Sequence, residues 1–278
     1  MKLTLVEKER FRKQELMPFI GKEGMEKIKD TTILMIGMGG GGCAASLQFA
    51  TSNVGRLILC DFDTVGNSNL GRQFLHNEAT LGIEKVISAQ IALKQINPSL
   101  EIETISEPIN RKTLEEVSNK YQNLAIFVAV DQFQAHYLIN DFCIKNHIPA
   151  VHIAQLGFKG FIYTYDPNQS HTGIESAINQ FFNKKVDTEA FDKDEQDLPY
   201  FAPIISIVCG TGVVEILKMQ LNLTSKMLAN TFLIYRALEH EDIFESEQSK
   251  KPFFEENQLL ESEQYSLCQE TNKGRSII

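Results

Sequence analysis

Positive charge is scarce in this sequence: 27 lysines and arginines stand against 36 aspartates and glutamates, a formal net charge of −9. A general nucleic-acid binder draws its affinity from neutralising phosphates, so no nucleic-acid partner is expected. Long apolar runs are missing too. None approaches the ~20 residues of a membrane-spanning helix, and no membrane association is expected. Residues 1–6 pass at once into charged residues, which argues against a signal peptide. Cysteine is sparse and scattered, at Cys43, Cys60, Cys143, Cys209 and Cys268, mostly in apolar contexts. These read as buried, reduced thiols of a cytoplasmic protein, not as a disulfide framework. What is present is ordinary: 278 residues, 43% hydrophobic and 23% charged, enough to bury a sizeable core in one large α/β domain or two small ones.

Residues 31–73 organise the chain: TTILMIGMGGGGCAASLQFATSNVGRLILCDFDTVGNSNLGRQ. Residues 33–36 have the length and branching of a buried parallel strand. Gly37, Gly39 and Gly42 then form a G-x-G-x-x-G turn, with Gly40 inside it, and small residues from Cys43 to Ser46 open a helix. Glycines are needed there because the backbone must turn tightly, approach a phosphate closely and let the helix pack on the sheet. A second strand, 56–60, ends in Asp61, an acid within reach of a ribose hydroxyl, with Asp63 close behind it. By itself this says only that a nucleotide binds. A nicotinamide-dependent dehydrogenase usually runs on into another helix at this point. Here a polar loop follows instead, carrying Asn69, Arg72 and Gln73. An arginine beyond the ribose acid suits a ligand with more than two phosphates, since a planar cation orients phosphoryl oxygens.

On these residues the chain resembles the ThiF/MoeB/HesA superfamily, bacterial relatives of the enzymes that activate ubiquitin, in which D-x-D…S-N-L-x-R-Q follows the glycine loop. Other segments fit the resemblance. Residues 7–30 are highly charged, with Pro18 separating two short helices, and taken alone read as a solvated cap. The family carries R-x-x-R-Q…P…G-x-x-G-Q there, on a helix that reaches a partner subunit's active site; Arg10, Phe11, Gln14, Pro18, Gly21 and Gly24 match, and Lys13 takes the place of the second arginine. Gly82 and Glu84 lead into a helix expected to face the sheet through Val86, Ile87, Ile91 and Leu93 and to close at Asn97-Pro98. Lys85 lies in its first turn, where helix polarity disfavours a cation. It is either a surface lysine or one aimed at an anionic ligand, and the resemblance implies a phosphate-binding role.

A strand at 101–105, a helix at 111–120 and an apolar strand at 124–130 lead to Asp131. Ligands of open parallel sheets bind beyond the carboxyl ends of the strands, so Gly37, Asp61 and Asp131 converge by topology. An acid facing a triphosphate there suits Mg²⁺. A helix at 134–146 and a strand at 150–154 follow; from 157 the alternation of GFKGFIYTYDP reads as an antiparallel strand. Residues 168–199 form an irregular stretch with six acids between Asp187 and Asp197, either a solvated loop or the family's crossover loop. The family often places a catalytic cysteine on that loop, and none occurs between Cys143 and Cys209. Residues from Pro203 match the family's long helix, with Gly210 and Gly212 expected to admit a neighbouring helix; a last strand covers 231–238. The tail, 241–278, holds nine acids and four bases and reads as disordered, or as docking through 252–260. No C-x-x-C pair or histidine cluster exists, so the structural zinc frequent in the family is not expected.

The resemblance implies an α/β fold: a Rossmann-like, mostly parallel sheet with helices on both faces, continued by antiparallel strands in the C-terminal half. That domain spans 1–240, with 1–30 as an N-terminal helical segment. It also implies a homodimeric, ATP- and Mg²⁺-dependent adenylyltransferase acting on the C-terminal carboxylate of a small ubiquitin-like carrier protein or peptide. By carry-over Arg72, Lys85 and Lys13 contact phosphates, Asp131 holds Mg²⁺, Asp61 the ribose, Gly39 and Gly42 the phosphate approach, and Asn69 and Gln73 orient the nucleotide. Two alternatives stay open: a nicotinamide-dependent oxidoreductase, and a nucleotide-binding scaffold without activity.

Overall fold

The structure, a computed structural model, describes residues 2–169, 173–181, 199–223, 226–229, 231–238 and 244–248. Its centre is an eight-stranded sheet in the order β3-β2-β1-β4-β5-β6-β7-β8. Strands β1 (Thr32–Ile36), β2 (Arg56–Cys60), β3 (Glu101–Ile105), β4 (Leu124–Val128) and β5 (Ala150–Leu156) are parallel. Strands β6 (Lys159–Tyr165), β7 (Thr231–Arg236) and β8 (Phe244–Gln248) continue it antiparallel. The apolar runs of β1 and β4 are buried throughout, as strands covered on both faces must be. Their side chains alternate: Ile33, Met35, Leu57, Leu59, Phe127 and Val151 enter one core, while Leu34, Ile36, Ile58, Cys60, Ile126 and Val128 enter the other.

Helices α4 (Gly40–Thr51) and α5 (Lys85–Ile96) cover the first face; α6 (Arg111–Lys120) and α7 (Phe133–Asn146) cover the second. On α5 the buried side chains are Lys85, Val86, Ser88, Ala89 and Leu93, and Ile91 is exposed. The expected inclusion of Ile91 is corrected because five residues from Val86 is about 140° around a helix. Residues 2–30 form three short helices, α1 (Leu5–Arg10), α2 (Arg12–Glu15) and α3 (Gly21–Lys29), rather than two. They are more than a solvated cap. Phe11, Met25 and Ile28 enter the core, Arg10 Nη1 donates to Asn97 Oδ1 at 3.1 Å, and Gln14 Nε2 donates to Thr51 O at 2.6 Å.

Part of the expected loop 168–199 is helical: α8 (Ile174–Phe181) buries Ile174 and Ile178, an i, i+4 pair, in the second core. Its acid-rich segment lies outside the described residues. Helix α9 (Ala202–Gln220) is 19 residues long, with a mean hydropathy of 1.6, and by length and composition alone could cross a membrane. Its apolarity has another cause, since it packs against α4, β5 and β6. Gly212 there meets Val151 and Phe127 of the sheet rather than a helix, with room of only 2.9 and 3.0 Å for an added Cβ. The tail also departs from expectation: 244–248 pair with β7 as an edge strand, so the sheet passes the boundary at 240. Residues 249–278, with the proposed docking segment and Cys268, lie outside the described residues.

Candidate active site

The strand order reverses between β1 and β4, and a crevice opens beyond their carboxyl ends. Ile36 pairs with both Cys60 and Val128, so Gly37, Asp61 and Ala129 share the next row. Gly37 has φ +89° and would place a Cβ 2.5 Å from the carbonyl oxygen of Ala129; only glycine makes this turn without strain. Asp61 is 4% exposed and accepts from Met38 N at 2.6 Å and from Asp63 N at 2.8 Å. One carboxylate thus pins the glycine turn and the loop after β2 together. Burial pushes its pKa above the ordinary carboxylate value, opposed by the charge of Lys85 and by the two backbone donors.

Lys85 opens α5 and is 7% exposed, its Nζ 2.7 Å from Asp63 Oδ2. A buried cation at a helix N-terminus is unfavourable in itself; Asp63 and the nearby Asp61 offset it. It is not a surface lysine. Arg72 donates from Nη1 to Ser68 O at 2.7 Å and lies 5.7 Å from the ring centroid of Tyr200. Asn69 Oδ1 accepts from Gly66 N at 2.8 Å, so Asn69 offers a ligand its NH₂ group. Gln73 is 3% exposed with Oε1 unpartnered. Asp131 stands three residues past the end of β4, its carboxylate accessible. Behind it His136 Nε2 lies 3.1 Å from Val130 O, and His136 Nδ1 lies 3.0 Å from His152 Nδ1. Burial pushes His136 down to about 4 and His152 lower than its ordinary value, so both rings stay neutral around neutral pH, and His136 holds the Val130 carbonyl in place.

Gly37, Gly39, Gly40, Asp61, Asp63, Asn69, Arg72, Gln73, Lys85 and Asp131 all line one cavity of about 350 Å³. Gly42 does not line it. Its missing Cβ leaves room for the Gly37 carbonyl, so its part in phosphate approach is corrected to one in packing the turn on the helix. Lys13 does not line its own chain's cavity and is exposed on α2. The wall also includes Gln132, Gln155 and Tyr200, which sequence reasoning did not single out as site residues. A glutamine near the end of an apolar strand was the available signal for Gln155; nothing local marked Tyr200. Among the described residues no group of three or more His, Cys, Asp or Glu is able to hold a metal. Asp131, an exposed carboxylate on the same wall as Arg72 and Lys85 and, unlike Asp63, not bonded to Lys85, instead fits Mg²⁺, which takes one or two carboxylates together with substrate phosphates.

Comparison with known proteins places this geometry. The sequence model of the ThiF family matches residues 11–255. The molybdopterin-synthase adenylyltransferase of Haemophilus influenzae is 31% identical over 236 residues, covering 84% of this chain and 93% of that protein. The Escherichia coli K12 enzyme of the same name is 30% identical over 212 residues, covering 76% and 81%. Among solved structures, PaaA superposes with a TM-score of 0.70 at 23% identity over 90% of this chain and 75% of that one. E. coli MccB with ATP gives a TM-score of 0.70 at 21% identity over 82% and 67%, which speaks to the fold. With the match running through glycine turn, polar loop and antiparallel strands alike, the chain belongs to the ThiF family.

Proposed function

We propose that this chain uses ATP to adenylate the C-terminal carboxylate of a small ubiquitin-like carrier protein or a short peptide, releasing pyrophosphate. The observation that carries the reading is the meeting of Asp61, Arg72, Lys85 and Asp131 on one cavity at the switch point of the sheet. The names of the relatives support it: two are adenylyltransferases of molybdopterin synthase, and MccB has been solved with ATP and with MccA. A nicotinamide dehydrogenase gives no account of two cations, Arg72 and Lys85, on the wall of one cavity.

A carboxylate is a poor electrophile until one oxygen becomes part of a good leaving group. The acceptor's carboxylate oxygen attacks the α-phosphorus of ATP in line; the bond to the bridging oxygen breaks, and its electron pair leaves with pyrophosphate. Such catalysis is chiefly positioning and charge stabilisation. Asp61 takes the ribose hydroxyls, while Gly39 and Gly40 let the phosphates approach the start of α4, where backbone N–H groups are free. Arg72 and Lys85 neutralise phosphoryl oxygens, Lys85 exchanging Asp63 for the ligand, and Asn69 and Gln73 orient the nucleotide. Asp131 would hold Mg²⁺, which would supply further charge neutralisation at the phosphates.

The cytoplasmic enzyme acts as a homodimer in which Lys13 reaches the phosphates of the second copy. Exposed Leu16, Met17 and Phe19 beside Lys13 support an interface there. The acyl adenylate passes to an external nucleophile. Four of the cysteines are buried; burial pushes Cys43 and Cys60 up to about 12, and Cys143 and Cys209 higher still.

The test is ATP–pyrophosphate exchange with a panel of carriers ending in Gly-Gly and of free peptides. Acceptor-dependent exchange is expected, and Asp131→Ala should reduce it at least ~100-fold. Undiminished exchange in that variant removes Asp131 from the mechanism; nucleotide binding without exchange for any acceptor favours the inactive scaffold.

A further inference from the structure

Gln155 lies near the end of β5, on the flank of the cavity away from Asp61, and is 4% exposed. Its Nε2 donates to Gly157 O at 2.9 Å and to Phe201 O at 3.1 Å, tying the β5–β6 turn to the segment that enters α9. These two bonds identify the ends of the amide, since the flipped group would set its oxygen against two carbonyl oxygens. Oε1 is therefore fixed in place, buried and unpartnered. An acceptor so placed is unfavourable until a ligand supplies a donor.

The nucleotide is not the natural source. Its ribose is assigned to Asp61, just past β2, and the order β2-β1-β4-β5 puts Gln155 three strand spacings away, roughly 14 Å. Its phosphates bring acceptors only, and the donor amino group of its base lies beyond the ribose, farther still from β5. The β5 flank instead faces the side from which the acyl group must come. A carboxylate poised over the glycine turn of β1 is two spacings from β5, about 10 Å. The glutamine side chain spans part of that gap, and an extended chain advances about 3.4 Å per residue. On these spacings the last two peptide N–H groups of the acceptor are the ones within reach of the β5 flank.

We propose that Gln155 Oε1 accepts a hydrogen bond from a backbone N–H within the last two residues of the acceptor. Gln155 is thus a specificity residue that grips the main chain of the tail whatever its side chains. It selects against a tail whose amide nitrogen there carries no hydrogen, as with proline. The inference rests on the adenylation reading.

The experiment replaces each of the last three amides of the acceptor by an ester, one at a time, in a Gly-Gly-ending carrier and in a free peptide. Pyrophosphate exchange is then measured with the full chain. One ester within the last two residues should raise KM for the acceptor about tenfold and leave KM for ATP unchanged. In Gln155→Leu the unmodified acceptor should show the same rise, and the ester should add nothing to it. Should that variant fail to fold, the ester series on the unaltered protein still decides. KM within twofold for every ester, or an equal further loss from the ester in Gln155→Leu, overturns the role of Gln155 while adenylation stands. Absence of exchange by the unaltered chain with every probe overturns the adenylation reading and this inference together.

Discussion

Two neighbouring glycines separate folding from binding. Gly37 turns with φ +89°, and an added Cβ would lie 2.5 Å from Ala129 O and 3.1 Å from Val130 Cγ1. Gly37→Ala therefore incurs ~1–2 kcal/mol for the left-handed backbone and ~1–3 kcal/mol for displacing the end of β4. A total of about 2–5 kcal/mol is expected. Gly39 has φ −75°, and its added Cβ meets only Gln73 Nε2, at 3.7 Å. Gly39→Ala should leave stability within ~0.5 kcal/mol. Its methyl nevertheless occupies the cavity wall that phosphates must approach. Displacing a phosphate from one charge-assisted hydrogen bond costs about 1.5–3 kcal/mol, which is roughly 10- to 100-fold in ATP affinity. Urea unfolding followed by circular dichroism measures the first quantity and calorimetric titration with ATP the second. If Gly39→Ala loses as much stability as Gly37→Ala, or binds ATP as the unaltered protein does, the assignment of the two glycines is wrong.

The His136–His152 pair makes stability depend on pH. The folded pKa of His136, about 4, lies below its ordinary 6.5, so the neutral-ring contribution is full above 6.5 and is lost as pH falls towards 4. The loss should reach about 3 kcal/mol at 1.36 kcal/mol per unit. Unfolding midpoints across that range should fall less steeply in His136→Gln; an unchanged slope would falsify the attribution. Glu215, 1% exposed, accepts from Lys218 Nζ at 2.6 Å and Leu228 N at 2.8 Å, so Glu215→Ala should destabilise by about 2 kcal/mol in the same assay. Iodoacetamide should label none of Cys43, Cys60, Cys143 and Cys209 in the native state. A trapped thioester at any of them during turnover would refute transfer to an external nucleophile.

The first half of the fold was legible because parallel strands announce themselves. The run 56–60 is apolar from Leu57 onward and bounded by turn residues; it forms β2 with those limits, and 101–105 and 111–120 also match β3 and α6. The second half was less so. Residues 174–181 and 244–248 lie in polar, acidic surroundings, and their order comes from partners far along the chain: the second core for α8 and β7 for β8. Local composition carries no trace of such partners.

The same division holds at the site. Gly37, Asp61, Arg72 and Lys85 were readable because each answers to a constraint within a few residues: a turn, a strand end, a helix start. Sequence by itself thus determined the family and which of these residues would meet on one cavity wall. Tertiary structure alone decided that Lys85 leans on Asp63, that Gly42 serves packing, and that Gln155 and Tyr200 close the far flank. Those positions depend on strand order and on where α9 begins, and strand order is set by contacts between segments that are distant in sequence.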